Sequence, residues 1–360
     1  MLISLLPSIK FYVISDMQLK CRYFHRLLTH ISTMQWTRET SDLVLAVYGI
    51  TLITGLPANL LAFYTFVQKV KQNAKPIDVL LLSLNISDLI FLFFLPLRMK
   101  EAADMKWNMS YFLCSVSIFI FFTTIYNSTF LLTAIGVERY LGVAFPVRYK
   151  IKRNPRHAVT ASVMFWVISI VHCSVVFIVQ YYSPTNTTIR LKQNSCYGEF
   201  NKEQMTILMP FRLELFVVFF CVPFLICCFC YINFILILSR LPNVNPKKRF
   251  RAIGLALGTL LVFIVCFMPF SMTHLVGFIG WYSPNWRVYA LLTSTFNACM
   301  DPFIFYFSSS ALRATFKHCL QGLIKRLSCC PKALCCPKMN RSSAKENTQS
   351  SSGSFHLIQH

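Results

Sequence analysis

Seven stretches of mostly apolar residues, each about 20 or more long, dominate this chain, and that length is what a helix needs to cross the hydrocarbon core of a bilayer. They fall at 43–67, 77–99, 112–145, 158–182, 207–238, 252–281 and 288–307. Charged residues make up only 13% of the chain and hydrophobic ones 55%. That charged share is about half that of a soluble domain, so one soluble core cannot hide this apolar surface. Pro57, Pro96, Pro223, Pro269 and Pro302 lie within the stretches. Transmembrane helices kink at proline and tolerate it where neighbours satisfy the freed backbone. The predicted fold class is an all-α membrane protein, a seven-transmembrane helix bundle with a short amphipathic eighth helix.

Loop charge gives the predicted orientation. Lys69, Lys71 and Lys75 follow the first stretch, Arg148, Lys150, Lys152, Arg153 and Arg156 the third, and Arg240, Lys247, Lys248, Arg249 and Arg251 the fifth. The second connector mixes Lys100 and Lys106 with Glu101 and Asp104, and the fourth mixes Arg190, Lys192 and Lys202 with Glu199 and Glu203. Basic excess marks cytoplasmic loops, so the amino terminus is expected outside and the carboxyl terminus inside. The net charge of +22 is explained by this topology, and a nucleic-acid partner is not needed. A seven-span transporter is a rival, but no inverted repeat is visible. An enzyme is not expected, because neither a His-Glu-x-x-His nor a Gly-x-Ser-x-Gly motif is present.

The expected organisation follows. Residues 1–42 form an extracellular segment whose apolar start, 1–15, is too short to span. Residues 43–310 form the seven-span domain. In 311–327, Phe316, Leu320, Leu323, Ile324 and Leu327 recur at spacings of three and four, the pattern of an amphipathic helix along the inner leaflet. Residues 328–360 are Ser-rich and read as a disordered cytoplasmic tail with phosphorylation sites. Cys319, Cys329 and Cys330 are acylation candidates. A zinc set including Cys335 and Cys336 is the weaker reading, since no His completes it. Asn108 and Asn186 open sequons in the outer connectors and are the expected glycan sites. Cys114 and Cys196 both face the oxidising side, where a disulfide is the natural reading.

Ionisable residues inside a membrane are costly and point to function. Three sets stand out. Arg212, His274 and Arg287 lie towards the outer ends of the fifth, sixth and seventh stretches. They fit either a pocket for an anion, which two guanidinium groups grip well, or interfacial snorkelling. Asp88, Ser128, Asn297 and Asp301, with Asn59, lie at compatible depths and form either a small-cation site, such as an allosteric sodium site, or a closed hydrogen-bond network. Glu138-Arg139-Tyr140 ends the third stretch. No cofactor is required beyond such an ion.

Short motifs then appear in chain order: Gly55-Leu56-Pro57-Ala58-Asn59, Leu84-Asn85-Ile86-Ser87-Asp88, Glu138-Arg139-Tyr140, Trp166, Pro223 with Tyr231, Cys266-Phe267-Met268-Pro269 and Asp301-Pro302. From Leu43 to Leu327 the chain resembles a rhodopsin-like (class A) G-protein-coupled receptor. ERYLGVAFPVRYK from Glu138, FRLEL from Phe211 and FYFSSS from Phe305 are similar to the free fatty acid receptors, most closely the short-chain subgroup, receptors 2 and 3. The resemblance implies Arg212, Arg287 and His274 as the carboxylate-binding set, with Tyr126, His172 and Phe270 lining the same pocket and acetate, propionate and butyrate as agonists. Phe270 stands where mammalian relatives usually have Tyr, and Gly198 where they have an acid, which Glu199 supplies one residue later. The alternative is a class A receptor for another small anion, such as a hydroxy acid or a longer fatty acid. The resemblance also implies a switch built from Glu138, Arg139, Tyr140, Tyr231, Pro269, Asp301 and Pro302. Its implied partners are Gi/o-type and also Gq-type G proteins, arrestins, receptor kinases and membrane lipids, at the plasma membrane. The first 33 residues lack a counterpart in that family, whose members start near Met34.

Overall fold

The computed structural model describes residues 36–152, 154–181, 196–197, 200, 202–241 and 245–329. The predicted segments 1–33 and 331–360, and Asn186, Arg190, Glu199 and Cys330, lie outside the described residues.

Span 1 is Arg38–Asn73, span 2 Pro76–Asp104 and span 3 Tyr111–Ala144. A short helix, Pro146–Lys152, follows in the connector. Span 4 runs Pro155–Cys173 and resumes as Val175–Tyr181. Span 5 is Lys202–Phe216, a π-helical turn at Val217–Cys221, then Val222–Arg240. Span 6 has the same construction, Pro246–Val262, a π-helical turn at Phe263–Phe267, then Met268–Gly280. Span 7 is Arg287–Thr295 and Asn297–Ser308. The final helix is Ser310–Cys329, on which Phe316, Cys319 and Leu320 are exposed. The side chains of Ser110, Asn154 and Asn245 each accept a backbone N–H at a helix start, the usual way to satisfy orphan donors there.

Six of these helices are long and apolar enough to cross a membrane by length and composition. The seventh was expected as one helix and is instead interrupted at Phe296. There the chain tightens to three-residue hydrogen bonds, Phe296 N–H to Thr293 O at 3.3 Å and Cys299 N–H to Phe296 O at 3.0 Å, a 3₁₀-type pinch. Pro302 then withholds the donor that the Ala298 carbonyl would receive. Asn59 of span 1 supplies it instead, at 2.8 Å. Pro223 frees the Phe219 carbonyl in the same way, and Thr129 of span 3 donates to it at 3.1 Å. Beside Pro269, the Cys266 carbonyl accepts from Ser294 of span 7 at 2.9 Å. The proline breaks thus become links between helices, which is how a bilayer permits them.

Span 3 is the central helix: 78% of its apolar window is buried, against 28% in span 1. Ile53, Phe93, Val171 and Leu225 point outward, as they can where the solvent is hydrocarbon.

Candidate functional site

At the end of the bundle carrying the Cys114–Cys196 disulfide, span 5 presents Arg212, buried to 1% exposure. Pro210 stands in the same helix, two residues before. The guanidinium donates from Nη1 to the Tyr282 carbonyl and from Nη2 to Ser283 Oγ, both at 3.2 Å. Gly277 of span 6 makes room for it, since a Cβ there would meet Arg212 Nη1. His274, one turn from Gly277, is buried, and its Nε2 lies 2.9 Å from the Tyr126 hydroxyl. Arg287 opens span 7, with Cζ 5.8 Å from the Phe122 ring, 5.6 Å from the Phe270 ring and 6.0 Å from the Tyr197 ring. Cation–π attraction holds a guanidinium on its faces and leaves its edge for other partners. Phe270 stacks on Phe122 at 5.7 Å and meets His274 edge-on at 4.7 Å, so the position supplies a ring and no hydroxyl.

Three nitrogens in this cluster, Arg212 Nε, Arg287 Nη1 and His274 Nδ1, are buried without a hydrogen-bond partner. Neither arginine has a carboxylate partner among the described residues. Buried guanidinium donors left unpaired are costly, and an anion is the group that satisfies them. His172 does not join the cluster. Its ring lies 4.5 Å from Phe219, which also packs on Tyr126 at 5.2 Å and on Phe130 at 5.1 Å, and its Nδ1 sits 3.6 Å from Glu214 Oε1. Phe219 and then Tyr126 stand between it and His274, so the structure places it apart from the cluster it was expected to join. Span 4 packs behind span 3 at this level, so its polar side chain turns to span 5.

Sequence reading missed the roof. Tyr197 follows the bridged Cys196 and adopts φ 60°, a left-handed conformation rare for a residue with a bulky side chain. Its ring packs on Phe122 at 5.9 Å and Phe200 at 4.8 Å, and Arg212 lies 5.9 Å from the Phe200 ring. Burial pushes the Tyr197 phenol up to about 12, so it stays protonated at neutral pH. The available signal was its place next to the loop cysteine. Glu101 was read as a connector charge, yet it belongs to span 2 and is 1% exposed. It pairs with Arg98 at 2.6 Å and accepts the Cys196 N–H at 2.7 Å. Beside this roof a cavity of about 390 Å³ opens between spans 1, 2, 3 and 7.

In mid-bundle, Asn297 Nδ2 lies 3.5 Å from Asp88 Oδ1, and Ser128 donates to Ser87 at 3.3 Å. Asn59 is taken up by Asn85 and by the Ala298 carbonyl. Asp301 is buried beside Asp88 and Asn297, its side-chain neighbours, next to a void of about 10 Å³ lined by Asp88, Ser128 and Asn297. That volume holds about one water-sized sphere, and the donor set fits a small hard cation.

At the opposite end, Glu138 accepts a 2.6 Å hydrogen bond from Tyr149. No ion pair joins the neighbouring Arg139 to Glu138 among the described residues. Tyr149, on the connector helix, takes the carboxylate instead. Arg139 borders a cavity of about 340 Å³ with Phe234, Leu238 and Ala252 of spans 5 and 6. Tyr231 reaches Thr259 Oγ1 at 3.3 Å, passing Gly136, where a Cβ would meet its ring at 3.1 Å. Tyr140 packs on Phe229 at 5.8 Å. Pro269 and Pro302 sit in spans 6 and 7 as described. Asn108 is exposed in the connector after span 2.

Residues 58–305 match the family described as 7 transmembrane receptor (rhodopsin family). The chain therefore belongs to the rhodopsin-like receptors and is a multi-pass membrane protein, not an enzyme. It is 44% identical over 291 residues to Free fatty acid receptor 3 of Mus musculus, covering 80% of this chain and 89% of the relative. To Free fatty acid receptor 2 of Mus musculus it is 46% identical over 278 residues, covering 77% and 84%. To Free fatty acid receptor 2 of Homo sapiens it is 45% identical over 285 residues, covering 79% and 86%. Within the rhodopsin-like receptors it is a member of the free fatty acid receptor family.

Proposed function

We propose that this chain is a plasma-membrane receptor for short-chain carboxylates such as acetate, propionate and butyrate, signalling through Gi/o and also Gq proteins. The observation that carries the reading is the pair of buried guanidinium groups, Arg212 and Arg287, with no acidic partner among the described residues and with His274 Nδ1 buried and unpaired in the same cluster. The names of its relatives point the same way. A carboxylate takes Arg287 and Arg212 by charge-assisted bonds, and His274, oriented by Tyr126, adds a donor. The tail rests on Phe122, Tyr126 and Phe270.

The disulfide end faces outside and the Arg139 end faces the cytoplasm. Binding draws spans 5, 6 and 7 together. Span 6 pivots at Pro269, and its inner end leaves Arg139 to open a cleft for a G-protein α subunit, a shift between two populated states. Tyr140, Tyr231, Asp301 and Pro302 carry that shift. Asp88, Ser128, Asn297 and Asp301 hold a sodium ion that favours the resting state. Asn108 and Asn186 carry glycans, Cys319, Cys329 and Cys330 are acylated, and the Ser-rich tail recruits receptor kinases and arrestins.

The test applies acetate, propionate, butyrate, hexanoate and lactate to cells displaying the receptor, with cyclic AMP and calcium recorded. The short acids should act, and Arg212→Ala or Arg287→Ala should abolish the response at equal surface display. A receptor that is displayed and silent to every short acid, or unaltered potency in both variants, rejects the reading.

A further inference from the structure

The cavity of about 390 Å³ beside the roof is several times the size of a two- to four-carbon acid, yet it contains neither Arg212 nor His274 in its walls. It meets the acid grip at Arg287, Phe122 and Tyr197, and at Ser283 and Phe200, which both contact Arg212 from the cavity wall. Its walls include the apolar Val44, Ile118, Val288 and Leu291 of spans 1, 3 and 7, and the paired Arg98 and Glu101 of span 2. Tyr197 and Phe122 meet ring to ring at 5.9 Å and form the partition. Phe122 is fixed by its stack on Phe270. Tyr197 is fixed differently: its backbone is left-handed and follows directly on Cys196, which the Cys114 bridge and Glu101, accepting the Cys196 N–H, both hold. Strain of that kind persists where surrounding contacts over-determine it.

We propose that Tyr197 is the residue that limits tail length, closing the carboxylate grip off from a second compartment that would otherwise admit unbranched acids of six to eight carbons. Glu101 is the positioning residue that keeps the ring in place. The inference rests on the carboxylate reading, because it needs the head group at Arg287. With the ring present, a tail is confined between Phe122, Tyr126 and Phe270. With it absent, the tail continues onto Val44, Ile118 and Leu291, and each methylene buried there is worth about fourfold in affinity.

The experiment measures the potency of propionate, hexanoate and octanoate on the full-length receptor and on Tyr197→Ala, Tyr197→Leu and Tyr197→Phe at matched surface display. Tyr197→Ala should lower the octanoate-to-propionate ratio of half-maximal concentrations by tenfold or more, and Tyr197→Leu by a smaller factor in the same direction. Tyr197→Phe keeps the ring and should leave the ratio unchanged. Adding Leu291→Trp to Tyr197→Ala refills the compartment and should restore the original ratio. An octanoate-to-propionate ratio that stays the same in a displayed Tyr197→Ala or Tyr197→Leu receptor overturns the proposal while propionate activity upholds the carboxylate reading. Silence of the wild-type receptor to all three acids overturns both together.

Discussion

A Cβ placed on Gly277 would lie 2.5 Å from Arg212 Nη1 and 3.1 Å from the Tyr282 carbonyl oxygen that this guanidinium bonds. The absence of a side chain on span 6 is therefore what lets the span 5 arginine cross to the loop after span 6. In Gly277→Ala the guanidinium must withdraw. We expect a strain of roughly 1–3 kcal/mol and a fall of tenfold or more in propionate potency, with surface display retained. Display-matched concentration–response curves check this, and equal potency would show that Arg212 acts from another position.

Tyr126 and His274 share a 2.9 Å hydrogen bond inside the same cluster. Tyr126→Phe keeps the ring packing on Phe219 and removes that bond. A neutral hydrogen bond is worth about 0.5–1.5 kcal/mol, so potency should drop about two- to tenfold with maximal response preserved. A larger loss would mean that the hydroxyl meets the ligand itself.

Asn59 ties three helices, donating to the Gly55 and Ala298 carbonyls and accepting from Asn85. Asn59→Leu leaves the Ala298 carbonyl, already deprived by Pro302, without a donor. The expected cost is roughly 1–3 kcal/mol, read as a lower unfolding temperature of the detergent-solubilised receptor. An unchanged midpoint would mean that water enters to replace the amide.

Glu101 and Arg98 form a buried pair on span 2. Removing one partner strands the other, so Glu101→Leu should destabilise by roughly 3–5 kcal/mol, whereas replacing both with leucine should recover most of that loss. The double variant should still fall short of wild type by the Cys196 N–H bond that Glu101 accepts. Thermal unfolding of the two variants side by side decides it.

Hydrophobic length made the spans legible, because a bilayer imposes one requirement on every crossing element. Loop chemistry likewise made the Cys114–Cys196 bridge legible. Arg212, His274 and Arg287 stood out as costly exceptions in apolar stretches, but their convergence on one cluster depends on how spans 5, 6 and 7 are turned, and periodicity does not fix that. Glu101 was misread because a carboxylate near a helix end looks like a loop charge until its buried partners are known. The interruption at Phe296 was hidden because its cause lies partly in span 1, where Asn59 satisfies the carbonyl that makes the break tolerable. Tyr197 left almost no trace, since its importance comes from a backbone conformation and from neighbours on three other segments.

The π-helical turns at Val217–Cys221 and Phe263–Phe267 have one further consequence. A π-turn is an α-helix with one residue inserted, and one residue is worth about 100° of rotation. Arg212 and His274 lie on one side of these turns, and Tyr231 and Thr259 on the other. Deleting a single residue from either turn would leave both halves of the helix intact and swing one of them through more than a quarter circle. The two ends of spans 5 and 6 are thus aimed independently, so a lineage can re-point the ligand face without disturbing the signalling face by gaining or losing one residue at the bulge.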